Sequence, residues 1–323
     1  FLAEAVTWWD ANCGSGKMIL FVPATWHPRI NWLLPFLKIP LQCFVYSSSP
    51  PGCREIFPGN GQVSSLGEPC IIFPGSPPPG PLREMQQRFP GLDLLFRRDR
   101  WELSHLGLPV LWKKGSGTYW FDFFNPRRVR SIPGDCAEHV AKVIRLRSGK
   151  GKGRDSLYYR FAPERWMESL LIRDLSLVRP NLGSRFYCQV PSRQGRRRKI
   201  LDILAADLRG RLVVLEIKVE CRIEDLFQGL GYRERVARHL VNGDFQRLGY
   251  FQGMELEQEV PALGFVSPLF AFHRGMPGIW RYLKPGGEVF CTGLNSDWRN
   301  GIRPLRRFGL EPGGGYGRET PRS

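Results

Sequence analysis

Two carboxylates and an amine stand in otherwise apolar company: Asp202 within residues 199 to 207 (Lys-Ile-Leu-Asp-Ile-Leu-Ala-Ala-Asp), and Glu216 and Lys218 within residues 211 to 219 (Arg-Leu-Val-Val-Leu-Glu-Ile-Lys-Val). A buried charge without a partner costs several kcal/mol, so these three side chains must pair with each other, hold a metal ion, or sit at an open sheet edge. The first outcome is an ion pair that holds a fold together. The second is a hydrolytic centre.

Both runs read as β-strands, rich in Leu and β-branched residues and separated by Leu208-Arg209-Gly210. A three-residue hairpin loop with Gly210 in the left-handed position pairs Asp207 with Arg211, and counting back sets Asp202 opposite Glu216. A two-residue turn would slip the register by one and send the carboxylates to opposite faces. Period-two alternation puts Lys218 on the face of Glu216, with Leu204, Val214 and Leu212 beside them and Leu201, Ile203, Val213, Leu215 and Ile217 opposite. Ile223, Leu226, Phe227, Leu230, Ala237 and Leu240 predict an amphipathic helix over 223–241, on which Gln228 and Tyr232 share a stripe. Upstream, Pro163 opens a helix whose apolar face is Met167, Leu170, Leu171, Leu175 and Val178; Glu168 borders that face, and Glu164 is its rival one turn earlier.

Glu168, Asp202, Glu216-Ile217-Lys218 and Gln228-x-x-x-Tyr232, in this order, resemble the PD-(D/E)XK nuclease superfamily, with the Gln-x-x-x-Tyr spacing of its RecB-like branch. The phrases Leu201 to Ala205 and Gly210 to Lys218 are most similar to NucS-type endonucleases; the resemblance spans about residues 160 to 290, and Ile200-Leu201 stands where many relatives carry a proline. It implies an α/β, restriction-endonuclease-like core with a mixed central sheet flanked by helices, and a Mg²⁺-dependent deoxyribonuclease, with Mn²⁺ as substitute. In the roles it implies, Asp202 and Glu216 bind the metal with the Ile217 carbonyl as a further donor. Glu168 serves a second metal or a metal-bound water, and Lys218 holds the attacking water. Gln228 and Tyr232 position substrate or Lys218; without the resemblance they read as a solvated polar stripe. The alternatives are a catalytically inactive nucleic-acid-binding protein of the same fold, and a structural module around a buried ion pair.

The 323 residues carry a formal net charge of +17 and a pI near 9.9, which favours a polyanionic partner. DNA is the expected one, with RNA as the alternative. Arg193, Arg196, Arg197, Arg198 and Lys199 lead straight into the strand of Asp202 and supply attraction where carboxylates alone would repel phosphates. A membrane partner is not expected, since no apolar run reaches the ~18 residues of a span. The eight cysteines include no Cys-x-x-Cys pair, so no zinc site and a reducing, cytoplasmic setting are expected. The chain starts at Phe1 instead of Met, as a fragment would. Cys13 to Met18 departs from a phosphate loop at both Ala11 and Met18, and it precedes a strand-like run.

The expected organisation is an apolar segment (1–46), a Pro/Gly/Ser-rich linker (47–82), a β-rich basic and aromatic region (83–147), a basic glycine-rich linker (148–155), the nuclease-like domain (156–310) and a disordered tail (311–323). In the third part strands are expected at 93–96, 101–103, 110–113 and 118–124, then a helix at 136–145. Its aromatic residues (Trp112, Tyr119, Trp120, Phe121, Phe123, Phe124) alternate with Arg and Lys, which reads as a β core with a cationic rim or as a base-stacking surface. In the fifth part strands are expected at 185–190, 262–267 and 288–294, and a helix at 277–283.

Overall fold

The computed structural model describes residues 4–6, 17–23, 25, 34–39, 41–48, 51–56, 78–97, 100–113, 118–132, 135–148, 154–194, 197–280, 283, 286–310 and 316–318. It is a mixed α/β protein. Its largest sheet has seven strands: β9 (Leu182–Gln194), β10 (Arg197–Asp207), β11 (Leu212–Ile217), β12 (Ala262–Pro268), β13 (Val289–Leu294), β14 (Pro304–Leu310) and β15 (Tyr316–Arg318), in spatial order from 15 to 9. β11, β12 and β13 run parallel in the middle, and antiparallel strands extend both sides.

The β10–β11 register is the one the loop length dictates: Ile203, Leu204, Ala205 and Ala206 face Leu215, Val214, Val213 and Leu212. The Asp207 amide donates to the Arg211 carbonyl at 2.9 Å, and Gly210 has φ +92°. A Cβ at Gly210 would lie 2.0 Å from the Glu255 carbonyl oxygen, so the turn requires glycine twice over.

Every residue of β11 is buried, because the sheet is covered on both faces. On one face Leu204, Ala206, Leu212 and Val214 pack with Leu226, Phe227 and Leu230 of α5 (Ile223–Val241). On the other, Ile203, Val213, Leu215 and Ile217 pack with Trp166, Met167 and Leu171 of α4 (Pro163–Leu171). Leu201 departs from the expected alternation and joins the α5 face; the ladder between β10 and β9 is interrupted beside it, opposite Gln189 with its φ of +52°. Helix α4 also ends sooner than expected. A 3₁₀ turn at Leu175–Leu177 carries the apolar face on to Val178.

Close packing of the central strands leaves no room at Gly264, where a Cβ would meet Phe290 at 2.5 Å and Leu215 at 2.7 Å. Gly264→Val is expected to destabilise the protein by about 1–3 kcal/mol through overpacking, read as a lower urea midpoint at unchanged slope.

A second, antiparallel sheet of β4 (Asp93–Arg97), β5 (Arg100–His105), β6 (Leu108–Lys113), β7 (Tyr119–Phe121) and β8 (Arg127–Val129) packs with α1 (Gly80–Arg88), α2 (Asp135–Arg147) and the short α3 (Leu157–Arg160). Trp112, Tyr119 and Phe121 are buried in it, with Lys113 and Arg127 over aromatic rings, so these residues form a core with a cationic rim. This unit grips the helix that bears Glu168. Arg147, fully buried, donates to the carbonyls of Leu106, Tyr158 and Phe161 and lies over the Trp166 ring, while Arg165 bonds the buried Glu102 at 2.6 Å. Removal from water lowers the Arg147 pKa to about 9, so the guanidinium stays charged among its carbonyl acceptors.

A third sheet pairs β1 (Met18–Pro23) in parallel with β2 (Leu41–Ser48), which pairs with β3 (Pro51–Ile56). β3 and the start of α1 fall inside the segment expected to be a linker, and β15 inside the tail expected to be disordered. Both strands are the second arms of hairpins, with Ser48 facing Pro51 and Leu310 facing Tyr316, and they are held by backbone pairing that their Pro- and Gly-containing sequences do not announce. Residues 13 to 16 of the rejected phosphate loop lie outside the described residues. No helix among the described residues is long and apolar enough to cross a membrane, and the six described cysteines carry free thiols.

Candidate functional site

The site lies at the carboxyl ends of the parallel strands, where β11 stops and the β9–β10 hairpin continues as an arm. The β10–β11 ladder ends at Ile203 and Leu215, and the next positions are Asp202 and Glu216. There the strands part. Asp202 Oδ2 accepts the Ile217 amide proton at 2.9 Å, taking the place of a ladder bond.

Glu216 is buried, 1 % exposed, and its Oε1 accepts from Lys218 Nζ at 2.9 Å and from Gln228 Nε2 at 2.6 Å. Gln228 also donates to the Tyr232 hydroxyl at 3.3 Å. Gln228 and Tyr232 are therefore no solvated stripe; one turn of α5 aims both at the end of β11. Glu168, also 1 % exposed, reaches the site from α4 and accepts from Gln189 Nε2 at 2.5 Å. The six catalytic candidates thus fall into two hydrogen-bonded groups at this end of the sheet, Glu216 with Lys218, Gln228 and Tyr232, and Glu168 with Asp202 through the Gln189 amide. Glu164 acts on Glu216 only through its field.

Electrostatics marks the site as under strain. Burial pushes the Asp202 carboxyl well up, and the neighbouring charges of Glu216 and Glu168 add to this against the Ile217 amide and Lys218. Burial also pushes Glu216 up to about 7, although Lys218 pulls the other way. For Lys218 burial acts downward, but Glu216, the hydrogen bond to it, Asp202 and Asp225 together push it above the usual lysine range, so it is protonated. Tyr232 is pushed up to about 12 by burial and by Glu216 and stays a neutral hydroxyl.

Two residues at the site escaped the sequence reading. Asp225, 3.7 Å from Lys218 Nζ, stands three positions before Gln228, a helical spacing that carries the signal. Gln189 gave none, since its place depends on the β9–β10 pairing and on a left-handed backbone, φ +52°.

Arg197, Arg198 and Lys199 belong to β10 and pair through the backbone with Gln194, Arg193 and Ser192 of β9. The arm from Asp202 to Arg197 is about 16 Å long at 3.3 Å per residue. The side chains of Arg193, Arg197, Arg198 and Lys199, and all of Arg196, lie outside the described residues.

Among the described residues no group of three or more His, Cys, Asp or Glu is arranged to hold a metal ion. Each carboxylate is instead met by a protein donor. Glu216 Oε2 is one of several buried polar atoms that have no hydrogen-bond partner among the described residues. The all-oxygen donor set suits a hard divalent cation. No protein-family model, curated protein or solved structure matches the chain.

Proposed function

We propose that the protein is a metal-dependent nuclease with a restriction-endonuclease-like core of the PD-(D/E)XK kind, hydrolysing DNA phosphodiester bonds. The observation that carries this reading is the convergence on Glu216 Oε1 of Lys218 and Gln228, with Asp202 at the adjoining end of β10.

Asp202 and Glu216 would hold Mg²⁺ or Mn²⁺, with Glu168 as the third carboxylate; the cation supplies charge to the non-bridging phosphate oxygens and lowers the pKa of water. The protonated Lys218 positions the attacking water and offsets charge as it develops on the phosphate. Gln228 fixes the rotamer of Glu216, and Tyr232 fixes Gln228. The basic arm brings the polyanion to a region that its own carboxylates would otherwise keep clear.

The test is incubation of the protein with end-labelled single-stranded and duplex DNA, in Mg²⁺ or in EDTA, beside Asp202→Asn. Cleavage by the wild type in Mg²⁺ alone, with binding retained in EDTA, is the expected outcome. The second reading, an inactive nucleic-acid-binding protein, draws on the fact that protein donors already meet the carboxylates and that no group of three or more His, Cys, Asp or Glu is arranged to hold a metal among the described residues. It predicts DNA that is bound and intact in Mg²⁺ and in Mn²⁺ alike.

A further inference from the structure

Gln189 faces Asp202 across the β9–β10 ladder, between the pairs Val190–Leu201 and Cys188–Ile203. Its backbone is left-handed at φ +52°, in the middle of a strand and without glycine. That conformation costs about 1–2 kcal/mol for a residue with a Cβ, so something at this position outweighs it. The side chain supplies the reason. It is 6 % exposed, and its Nε2 lies 2.5 Å from Glu168 Oε2 and 3.5 Å from Asp202 Oδ1. An amide facing two carboxylate oxygens must present its NH₂ group, because its carbonyl would be repelled by both. The partially positive end of a neutral side chain therefore sits between two acids that come from different elements and face each other across the site.

We propose that Gln189 closes the gap between Glu168 and Asp202 in the cation-free protein and competes there with a divalent cation for both carboxylates. The inference rests on the nuclease reading and adds regulation to it: occupancy at Glu168 and Asp202 requires the amide to give way. The amide nitrogen lies within 3.5 Å of an oxygen of each acid, so it takes the ground that a cation shared by the two would occupy.

The test uses Gln189→Asn, which tolerates the left-handed backbone but is one methylene too short to reach Glu168, and Gln189→Met, which keeps the length without the donor. Both are melted beside the wild type in EDTA and across a titration with Ca²⁺ and with Mg²⁺, without DNA. The variants are expected to melt lower in EDTA and to gain more from the cation, with half-saturation at about ten-fold lower concentration, the effect of losing one charge-assisted hydrogen-bond competitor. A purely structural Gln189 would lower every melt equally and leave the cation-induced increment unchanged, which overturns the proposal and spares the nuclease reading. No increment in wild type or variants, in either cation, overturns both.

Discussion

Lys218→Met is expected to slow metal-dependent DNA cleavage by about 10²–10³-fold, the cost of losing one preorganised charge at a reacting phosphate. Affinity for DNA in EDTA should stay within about two-fold, since one partly buried amine adds little to a footprint to which the five basic residues from Arg193 to Lys199 would contribute. The separation follows from position. Lys218 Nζ is 2.9 Å from Glu216 Oε1 and 3.7 Å from Asp225 Oδ1, so its charge is committed to the carboxylates and not to the surface. The protein should still fold, because Glu216, poised near 7, can take up a proton when its partner is gone. Single-turnover cleavage beside a filter-binding titration reads both quantities. An unchanged cleavage rate would remove Lys218 from the chemistry and return it to the role of a structural counter-ion.

The second large effect is on stability. In EDTA the protein is expected to lose stability as pH rises from about 4.5 to 7, by about 3 kcal/mol from Glu216 alone at 1.36 kcal/mol per unit. The folded state keeps the Glu216 proton up to about 7, whereas the unfolded chain releases it near 4.5, so the unfolded state gains through this window and the folded state does not. The stabilisation is complete below the unfolded value and gone above the folded one. Asp202, raised by the same burial, adds loss of the same sign. Lys218 contributes a constant amount here, since both its folded and unfolded values lie far above pH 7. His105, lowered by burial, works in the opposite sense below its ordinary value of 6.5. The difference between wild type and Glu216→Gln in urea unfolding at pH 5 and pH 8 cancels His105 and isolates Glu216. Glu216→Gln should flatten the slope; an identical slope in both proteins would show that Glu216 is not held protonated.

How far the sequence foretold this arrangement depends on how local each signal is. The hairpin register needed only the loop length and Gly210, and Asp202 and Glu216 end up at adjoining positions for that reason. Helix α5 was legible to its ends because its apolar period runs unbroken from Ile223 to Leu240. Asp202 was located, but neither the break in alternation that puts Leu201 on the α5 face nor the bond its carboxylate accepts from the Ile217 amide. Strands β3, β14 and β15 exist through pairing with neighbours, and their own residues carry little apolar alternation. Gln189 is the furthest from legibility. Its role needs a partner strand, a register and a positive φ at once, and no spacing within β9 encodes any of them.

A crystal soaked in Mn²⁺ tests the central claim most directly, because anomalous scattering locates the ion without reference to activity. The account predicts one peak within coordination distance of carboxylate oxygens of both Asp202 and Glu216, with Glu216 Oε2 among its donors. Mn²⁺ bound elsewhere, with Glu216 still held by Lys218 and Gln228 and its Oε2 still bare, would contradict it.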